Sequence, residues 1–144
     1  MPIRLGTIGH FCITVRDPKR AAAWWMKNLN VKKEFEFPNG AVVGTDDVGI
    51  VLIKGKPRPE AIDHISFHLA SMAALRAALK QLKRNKVVIE DPGDEIGPEA
   101  PGSKNMGLWF HDPDGYRWEL SVLAKPARRP RKRSGAKKTA KKKK

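Results

Sequence analysis

Apolar and polar residues alternate near the start of the chain, in residues 7–15. Phe11, Ile13 and Val15 are apolar, and the residues between them, beginning with His10, are polar. A period of two predicts a strand with one buried face and one polar face. The polar face of this strand would therefore carry His10.

A helix and three short strands are predicted to follow. Asp17 can cap the helix and Pro18 suits its first position, and apolar residues then recur at four-residue spacing as far as Asn30. The three strands, separated by turn-forming residues, lie at residues 33–37, 41–44 and 48–53. The first module, residues 7–54, is thus predicted to have the order β-α-β-β-β.

The same plan begins again at residue 62. His64 and Ser71 each lie 54 positions after their counterparts, His10 and Asp17. The further strands of this half are expected at residues 87–89, 106–110 and 116–122. This register indicates an internal repeat, so we predict an α+β fold with a second βαβββ module at residues 62–123.

The positive charge of the chain is concentrated at its C-terminal end. Twelve of the 29 Lys and Arg residues lie from Lys125 onward, where there is no acidic residue, so residues 1–124 carry 17 basic against 15 acidic side chains. A chain of 144 residues suffices for one domain with a core. We therefore predict one domain at residues 1–124 and a disordered tail at residues 125–144 that could attract nucleic acid or another polyanion nonspecifically.

The composition also bears on location. No apolar run approaches the roughly 20 residues that a membrane span requires, and the N-terminus lacks the features of an export signal. Cys12 is the single cysteine and cannot form an internal disulfide, as suits a reducing compartment. We expect a cytoplasmic protein without a membrane span.

Three side chains on polar strand faces could bind a metal ion. His10 and His64 hold matching positions in the two modules, and Glu119 projects from the polar face of the last predicted strand. Two imidazoles and one carboxylate suit Fe(II) or Mn(II), and the same set also forms catalytic Zn(II) sites. The sequence therefore predicts a divalent-metal site with open coordination positions.

These residues resemble the vicinal oxygen chelate superfamily, which includes glyoxalases, bleomycin-resistance proteins and extradiol dioxygenases. The resemblance covers residues 3–123. It rests on Gly9-His10, on Asp63-His64 and on the run FHDPDGYRWEL at residues 110–120, in which an Asp-Pro-Asp-Gly turn precedes Glu119. It implies two modules that form a curved, open sheet around a cleft with a divalent metal. It also implies a homodimer, since family members often dimerise and in some the metal site draws ligands from both chains.

The resemblance further implies a metal-dependent enzyme whose small-molecule substrate chelates the metal through oxygen atoms. His10, His64 and Glu119 match the three-ligand pattern of extradiol dioxygenases and of fosfomycin-resistance enzymes, so a ring-cleaving dioxygenase or an epoxide-opening lyase is expected. The four-ligand pattern of glyoxalase I is incomplete, because residues 48–53 contain no carboxylate. The candidates for acid or base catalysis are His68 and His111, and those for the substrate cleft are Trp109, Lys104 and Arg117.

Two other functions remain open at the level of sequence. Some family members bind and sequester antibiotics without a metal, which predicts a small-molecule binding protein. The tail predicts a nucleic-acid-associated protein instead, although it lacks the aromatic residues that would stack on bases.

Overall fold

A computed structural model describes residues 1–124, and the tail predicted for residues 125–144 lies outside the described residues. The elements are β1 (His10–Val15), α1 (Pro18–Leu29), β2 (Lys32–Phe37), β3 (Gly40–Gly44), β4 (Gly49–Lys54), a 3-10 turn (Pro59–Ala61), β5 (Ile65–His68), α2 (Met72–Arg84), β6 (Val88–Ile89), β7 (Gly97–Pro98), β8 (Met106–His111) and β9 (Arg117–Val122). The predicted α+β class and the repeated βαβββ order are confirmed.

Each module forms its own sheet. The strand order is β1-β4-β3-β2 in the first sheet and β5-β9-β8-β6 in the second, with β7 paired to the end of β8. In both sheets the first strand of the module runs parallel to the last, and the other pairs are antiparallel. The strand β7 departs from the prediction, which left residues 91–105 as a loop.

The predicted helix ends are also confirmed. Asp17 Oδ1 accepts hydrogen bonds from the backbone N–H groups of Lys19 and Arg20 at 3.0 and 3.1 Å, and Asn30 ends α1 with a φ of 52°. At the start of α2, Ser71 Oγ accepts a hydrogen bond from the backbone N–H of Ala74 at 3.1 Å. Local sequence therefore fixes where both helices begin.

The apolar faces of the two sheets meet in one core. Trp25 of α1 packs edge-on against Trp118 of β9 with the ring centroids 4.7 Å apart, and Phe11 of β1 lies 5.9 Å from the same Trp118 ring. Buried residues of both modules belong to this single cluster. Because side chains alternate across a strand, the polar faces of β1 and β9 point away from the common core.

Tyr116 ties the modules together at the edge of this core. Its hydroxyl donates to the backbone carbonyl of Thr14 at 2.6 Å and accepts from the backbone N–H of Arg58 at 3.0 Å. Within residues 1–124, neither helix is long and apolar enough to cross a membrane.

Candidate metal centre

Two of the three predicted ligands lie side by side on the polar face of the second sheet. His64 immediately precedes β5, and Glu119 lies in β9 opposite Ser66 in the parallel register. This pairing places Nε2 of His64 3.1 Å from Oε2 of Glu119. The alternation of β9 and its pairing with β5 are thus sufficient to bring an imidazole and a carboxylate together.

The Glu119 carboxylate is buried and only partly hydrogen-bonded. Its side chain is 4% exposed, and Oε1 has no hydrogen-bond partner among the residues described. Burial raises the pKa of Glu119 above its ordinary value, and the neighbouring Glu99 carboxyl raises this pKa further. A buried carboxylate oxygen without a donor is costly in a folded protein, and a bound cation would satisfy it. The donor set therefore fits a divalent metal.

Gly107 of β8 has no side chain, and the Glu119 carboxylate occupies the space beside it. A Cβ added at this position would lie 2.6 Å from Glu119 Oε1 and 2.9 Å from the Trp109 ring. Such distances are shorter than real Cβ contacts, so a larger residue would displace the carboxylate. The absence of a side chain at Gly107 is therefore part of the geometry of the centre.

The His64 ring is oriented by the residue before it. Nδ1 of His64 lies 2.5 Å from Oδ2 of Asp63, which leaves Nε2 directed at Glu119. Hydrogen bonding of one imidazole nitrogen to a carboxylate is the usual way in which proteins orient a metal-binding histidine. Asp63 thus orients the imidazole ring of the residue that follows it.

Arg117 and His111 both contact Glu90, and Arg117 Nη1 also lies 3.4 Å from Nδ1 of His64. Arg117 donates from Nε and Nη2 to the Glu90 carboxylate at 2.6 and 2.9 Å, and the Nε2 atom of His111 lies 2.8 Å from Glu90 Oε1. Arg117 lowers the pKa of Glu90 below its ordinary value, and Glu90 raises the pKa of Arg117. The guanidinium also lies 5.7 Å from the centre of the Trp109 ring. The charge of Arg117 is therefore balanced by a neighbouring acid.

His10, the third predicted ligand, lies elsewhere in the chain. It is exposed at the start of β1, where it borders a cleft of about 610 Å³ whose lining combines apolar side chains, among them Phe35 and Phe37, with acidic ones. Within residues 1–124, no three His, Cys, Asp or Glu side chains form a group that could hold a metal ion. One chain therefore brings His64 and Glu119 together but does not add His10.

The remaining predicted site residues lie at the margins of the centre. His68, exposed at the end of β5, helps to lower the pKa of Glu99 and borders a cavity of about 640 Å³ between the modules. Lys104 is exposed in the loop before β8. Trp109 faces Glu119 across the pair β8–β9, and its indole Nε1 is a buried donor without a partner in the described part of the chain.

Glu99 is a site residue that sequence reasoning missed. Its Oε2 accepts a hydrogen bond from Asn105 Nδ2 at 3.0 Å, which lowers the pKa of Glu99, and its charge raises the pKa of the neighbouring Glu119. Glu99 follows β7, a strand too short to give a periodic signal. Only the pairing of β7 with β8 brings this carboxylate to the centre, and no local pattern could have indicated that pairing.

Comparisons with known proteins agree with this fold. A model of the Glyoxalase/Bleomycin resistance protein/Dioxygenase superfamily matches residues 7–120. A search of curated proteins gave no match.

Solved structures of several bacterial proteins resemble the chain at low sequence identity. The fosfomycin resistance protein FosX from Listeria monocytogenes is 18% identical, with 85% of this chain and 94% of that chain covered and a TM-score of 0.66. A glyoxalase/bleomycin resistance protein/dioxygenase from Alicyclobacillus acidocaldarius is 14% identical, with 82% and 92% covered and a TM-score of 0.66. An integron cassette protein from the mobile metagenome of V. cholerae is 20% identical, with 85% and 98% covered and a TM-score of 0.64. At these identities the likeness shows the fold and not the activity.

Proposed function

Because the chain belongs to the Glyoxalase/Bleomycin resistance protein/Dioxygenase superfamily, we propose that it is a divalent-metal-dependent enzyme acting on a small molecule that chelates the metal through oxygen atoms. The observation that carries this proposal is the buried Glu119 carboxylate, whose Oε1 lacks a partner among residues 1–124 while Oε2 lies 3.1 Å from Nε2 of His64. An imidazole and a carboxylate suit Fe(II), Mn(II) or Zn(II).

The third ligand in this proposal is His10 of a second copy of the chain. The polar faces that carry His10 and Glu119 point away from the same core, so one chain has no means of closing them over each other. In a two-fold dimer, the His10 face of each copy would cover the Glu119 face of the other and create two equivalent sites. The exposed Phe35 and Phe37 on the His10 face support a covered surface, since their side chains are 56% and 36% exposed.

The chain's own residues have distinct proposed roles around the metal. His64 and Glu119 hold it, and when bound it would supply charge stabilisation for an oxyanion or enolate. Glu99 has a lowered pKa, since it accepts a hydrogen bond from Asn105, so its carboxylate is suited to accept a hydrogen bond from a substrate hydroxyl and to orient it. His68 is the candidate for proton transfer, because it is exposed at the end of β5 and lies close enough to Glu99 to influence its pKa.

The chemistry of the cleft favours an uncharged aromatic substrate over a phosphonate. Phe35 and Phe37 form an aromatic pair with ring centroids 6.2 Å apart in the cleft that borders His10. The same cleft is lined by three acidic residues, which would repel an anion: Glu34, Asp46 and Asp47. On the Glu119 face, the charge of Arg117 is balanced by Glu90, and Glu99 would repel an anion. A compound with two adjacent oxygens on an aromatic ring, as in a catechol, suits these surfaces better than an anionic epoxide does.

Elemental analysis of the purified protein tests the proposal. We expect about one Fe, Mn or Zn per chain, and its loss both in Glu119→Ala and in a variant with His10→Ala and His64→Ala. Glu36→Ala, which removes an exposed carboxylate from β2, is the matched control and should retain the metal. Absence of metal in the wild-type protein, even after reconstitution with each ion, would contradict the proposal.

The cavity of about 640 Å³ between the modules, whose mostly apolar lining includes Trp25, Phe67 and Leu120, supports a second candidate, a protein that sequesters an aromatic compound without a metal. The two candidates differ in their response to a chelator. Ligand affinity that survives complete metal removal would favour sequestration, whereas an enzyme of the proposed type should lose both affinity and turnover.

The basic segment supports a further proposal, that residues 125–144 bind nucleic acid or another polyanion nonspecifically in the cytoplasm. The support is its charge, twelve Lys or Arg residues without an acid, because such segments bind polyanions through counterion release. Truncation after Leu123 should abolish this binding and leave metal binding in the cleft unchanged. Binding by the truncated chain with the same salt dependence would overturn this idea.

A further inference from the structure

We propose that Asp63 and Arg117 are positioning residues that fix the orientation of the His64 ring, and that they thereby set the metal affinity of the centre. This inference rests on the proposed function, because it assigns residues to the support of the same metal site. It also changes the role expected for Arg117, from contact with substrate to support of a ligand.

The contacts of His64 fix the direction in which its ring points. Nδ1 lies 2.5 Å from Asp63 Oδ2, and a carboxylate can only accept, so Nδ1 donates this hydrogen bond. Nε2 lies 3.1 Å from Glu119 Oε2. The nitrogen that is left for a metal therefore lies beside the second proposed ligand.

Asp63 cannot keep this geometry unaided. Its side chain is 82% exposed, and it lies between the 3-10 turn and β5, so water competes for its oxygens and its rotamer is free. Arg117 Nη1 lies 3.3 Å from Asp63 Oδ2 and supplies the missing restraint. Arg117 and Glu119 are two residues apart on β9 and share one face, so a single strand carries both a metal ligand and the support of the other ligand.

The position of Arg117 is determined by three further contacts. Its Nε and Nη2 atoms donate to both oxygens of Glu90 at 2.6 and 2.9 Å, its guanidinium lies 5.7 Å from the centre of the Trp109 ring, and Glu90 is itself held by His111 at 2.8 Å. This bidentate pairing with one carboxylate needs the planar guanidinium group of arginine. A lysine at position 117 would keep the charge but lose the geometry.

The first test uses the metal-free protein, so it does not depend on the proposed function. Proton and nitrogen-15 NMR of the histidine side chains should show a hydrogen-bonded proton on Nδ1 of His64 that exchanges slowly with water. The His64 signals are assigned by their loss in His64→Gln. In Asp63→Ala the signal of this proton should be lost through exchange with water, while Asp63→Glu should restore it in part.

The second test measures affinity for Zn(II) by competition with a chelator of known affinity. Loss of a residue that supports a metal-binding histidine typically weakens binding about 10- to 100-fold, and we expect a loss in this range for Asp63→Ala. Arg117→Lys should show a smaller loss of Zn(II) affinity, since lysine keeps the positive charge but cannot make the bidentate contact with Glu90. Glu36→Ala, which breaks the exposed pair of Lys33 and Glu36 at 3.0 Å, is the control and should leave both readouts unchanged.

The outcomes separate the two proposals. A slowly exchanging Nδ1 proton that persists in Asp63→Ala, or Zn(II) affinity of this variant within twofold of the wild-type value, would overturn the positioning role. Loss of this proton signal in Asp63→Ala, together with no metal binding by the wild-type protein, would overturn the proposed function and support Asp63 as the residue that orients His64. Circular dichroism of each variant confirms that its secondary structure is retained.

Discussion

The pKa values of two carboxyl groups in the second sheet are displaced in opposite directions. Burial raises the pKa of Glu119, whereas the Arg117 guanidinium lowers the pKa of Glu90. Glu90 therefore has its compensating charge within the chain. Glu119 has a single imidazole beside it and a buried oxygen without a partner among the described residues, so a bound cation would stabilise its ionised form. This contrast supports a structural role for Glu90 and the proposed ligand role for Glu119.

The lowered pKa of Glu90 leads to a prediction about stability and pH. A carboxyl group whose pKa is lower in the folded state stabilises the fold above its unfolded pKa, and this stabilisation is lost as pH falls through the folded pKa. Glu90→Gln should therefore lower the free energy of unfolding by about 1 kcal/mol at pH 7. The difference from the unchanged protein should shrink as pH falls below 4.5, the ordinary value for Glu.

Urea unfolding at several pH values between 3 and 8 measures this difference. Glu60→Gln, which alters an exposed residue of the 3-10 turn, should leave stability unchanged within error. A penalty for Glu90→Gln that stays constant over the whole pH range would show that the charge of Glu90 does not contribute.

At the scale of elements, the hairpin of β8 and β9 could be predicted and the strand β7 could not. Asp112 Oδ1 accepts hydrogen bonds from the backbone N–H groups of Asp114 and Tyr116 at 2.9 and 3.1 Å, and Gly115 has a φ of 90°. Both features are properties of the turn residues themselves. The strand β7 exists only because residues distant in sequence pair with it, so no pattern in residues 91–105 predicted it.

The strand β8 leads to a prediction about Gly107. Gly107→Ala should place a methyl group against Glu119 Oε1, from which a Cβ would be 2.6 Å away, and displace the carboxylate. We expect metal affinity to fall by about tenfold or more, since small displacements of ligands have effects of this size. Gly97→Ala is the matched control, because it alters the residue paired with Gly107, and a Cβ there would meet nothing within 4 Å.

Isothermal titration calorimetry with Zn(II) distinguishes the two glycine variants. Equal affinities for Gly107→Ala and Gly97→Ala would show that the carboxylate does not need the space beside Gly107. It would also weaken the assignment of Glu119 as a ligand.

At the scale of the whole molecule, the repeat was predictable and the arrangement of its halves was not. The 54-residue register between His10 and His64 predicted two equivalent modules, and the alternation in each strand predicted which faces are polar. Neither signal tells which apolar face packs against which. The packing of Phe11 and Trp25 on Trp118 decides that the polar faces turn outward, so the three predicted ligands are divided between two surfaces of one chain.

Because the proposed ligands lie on two surfaces of the chain, a dimer formed from two variants that each lack one ligand tests whether the site is shared between copies. In a dimer of His10→Ala with Glu119→Ala, one site would combine His64 and Glu119 of the first chain with His10 of the second and would be intact. The other site would lack both His10 and Glu119. We therefore expect neither variant to bind metal alone, and the isolated hybrid to bind about one ion per two chains, because a two-fold dimer has two equivalent sites.

Differently tagged chains allow the hybrid to be purified after co-expression, and elemental analysis then gives its metal content. A hybrid of two chains that both carry Glu119→Ala is the control, because it contains no complete site in any pairing. If His10 instead met His64 and Glu119 within one chain, each site in the hybrid would keep its own defect and no metal would be recovered. Restoration in the hybrid therefore tests the central feature of the proposal, a metal centre to which one copy contributes His64 and Glu119 and the other contributes His10.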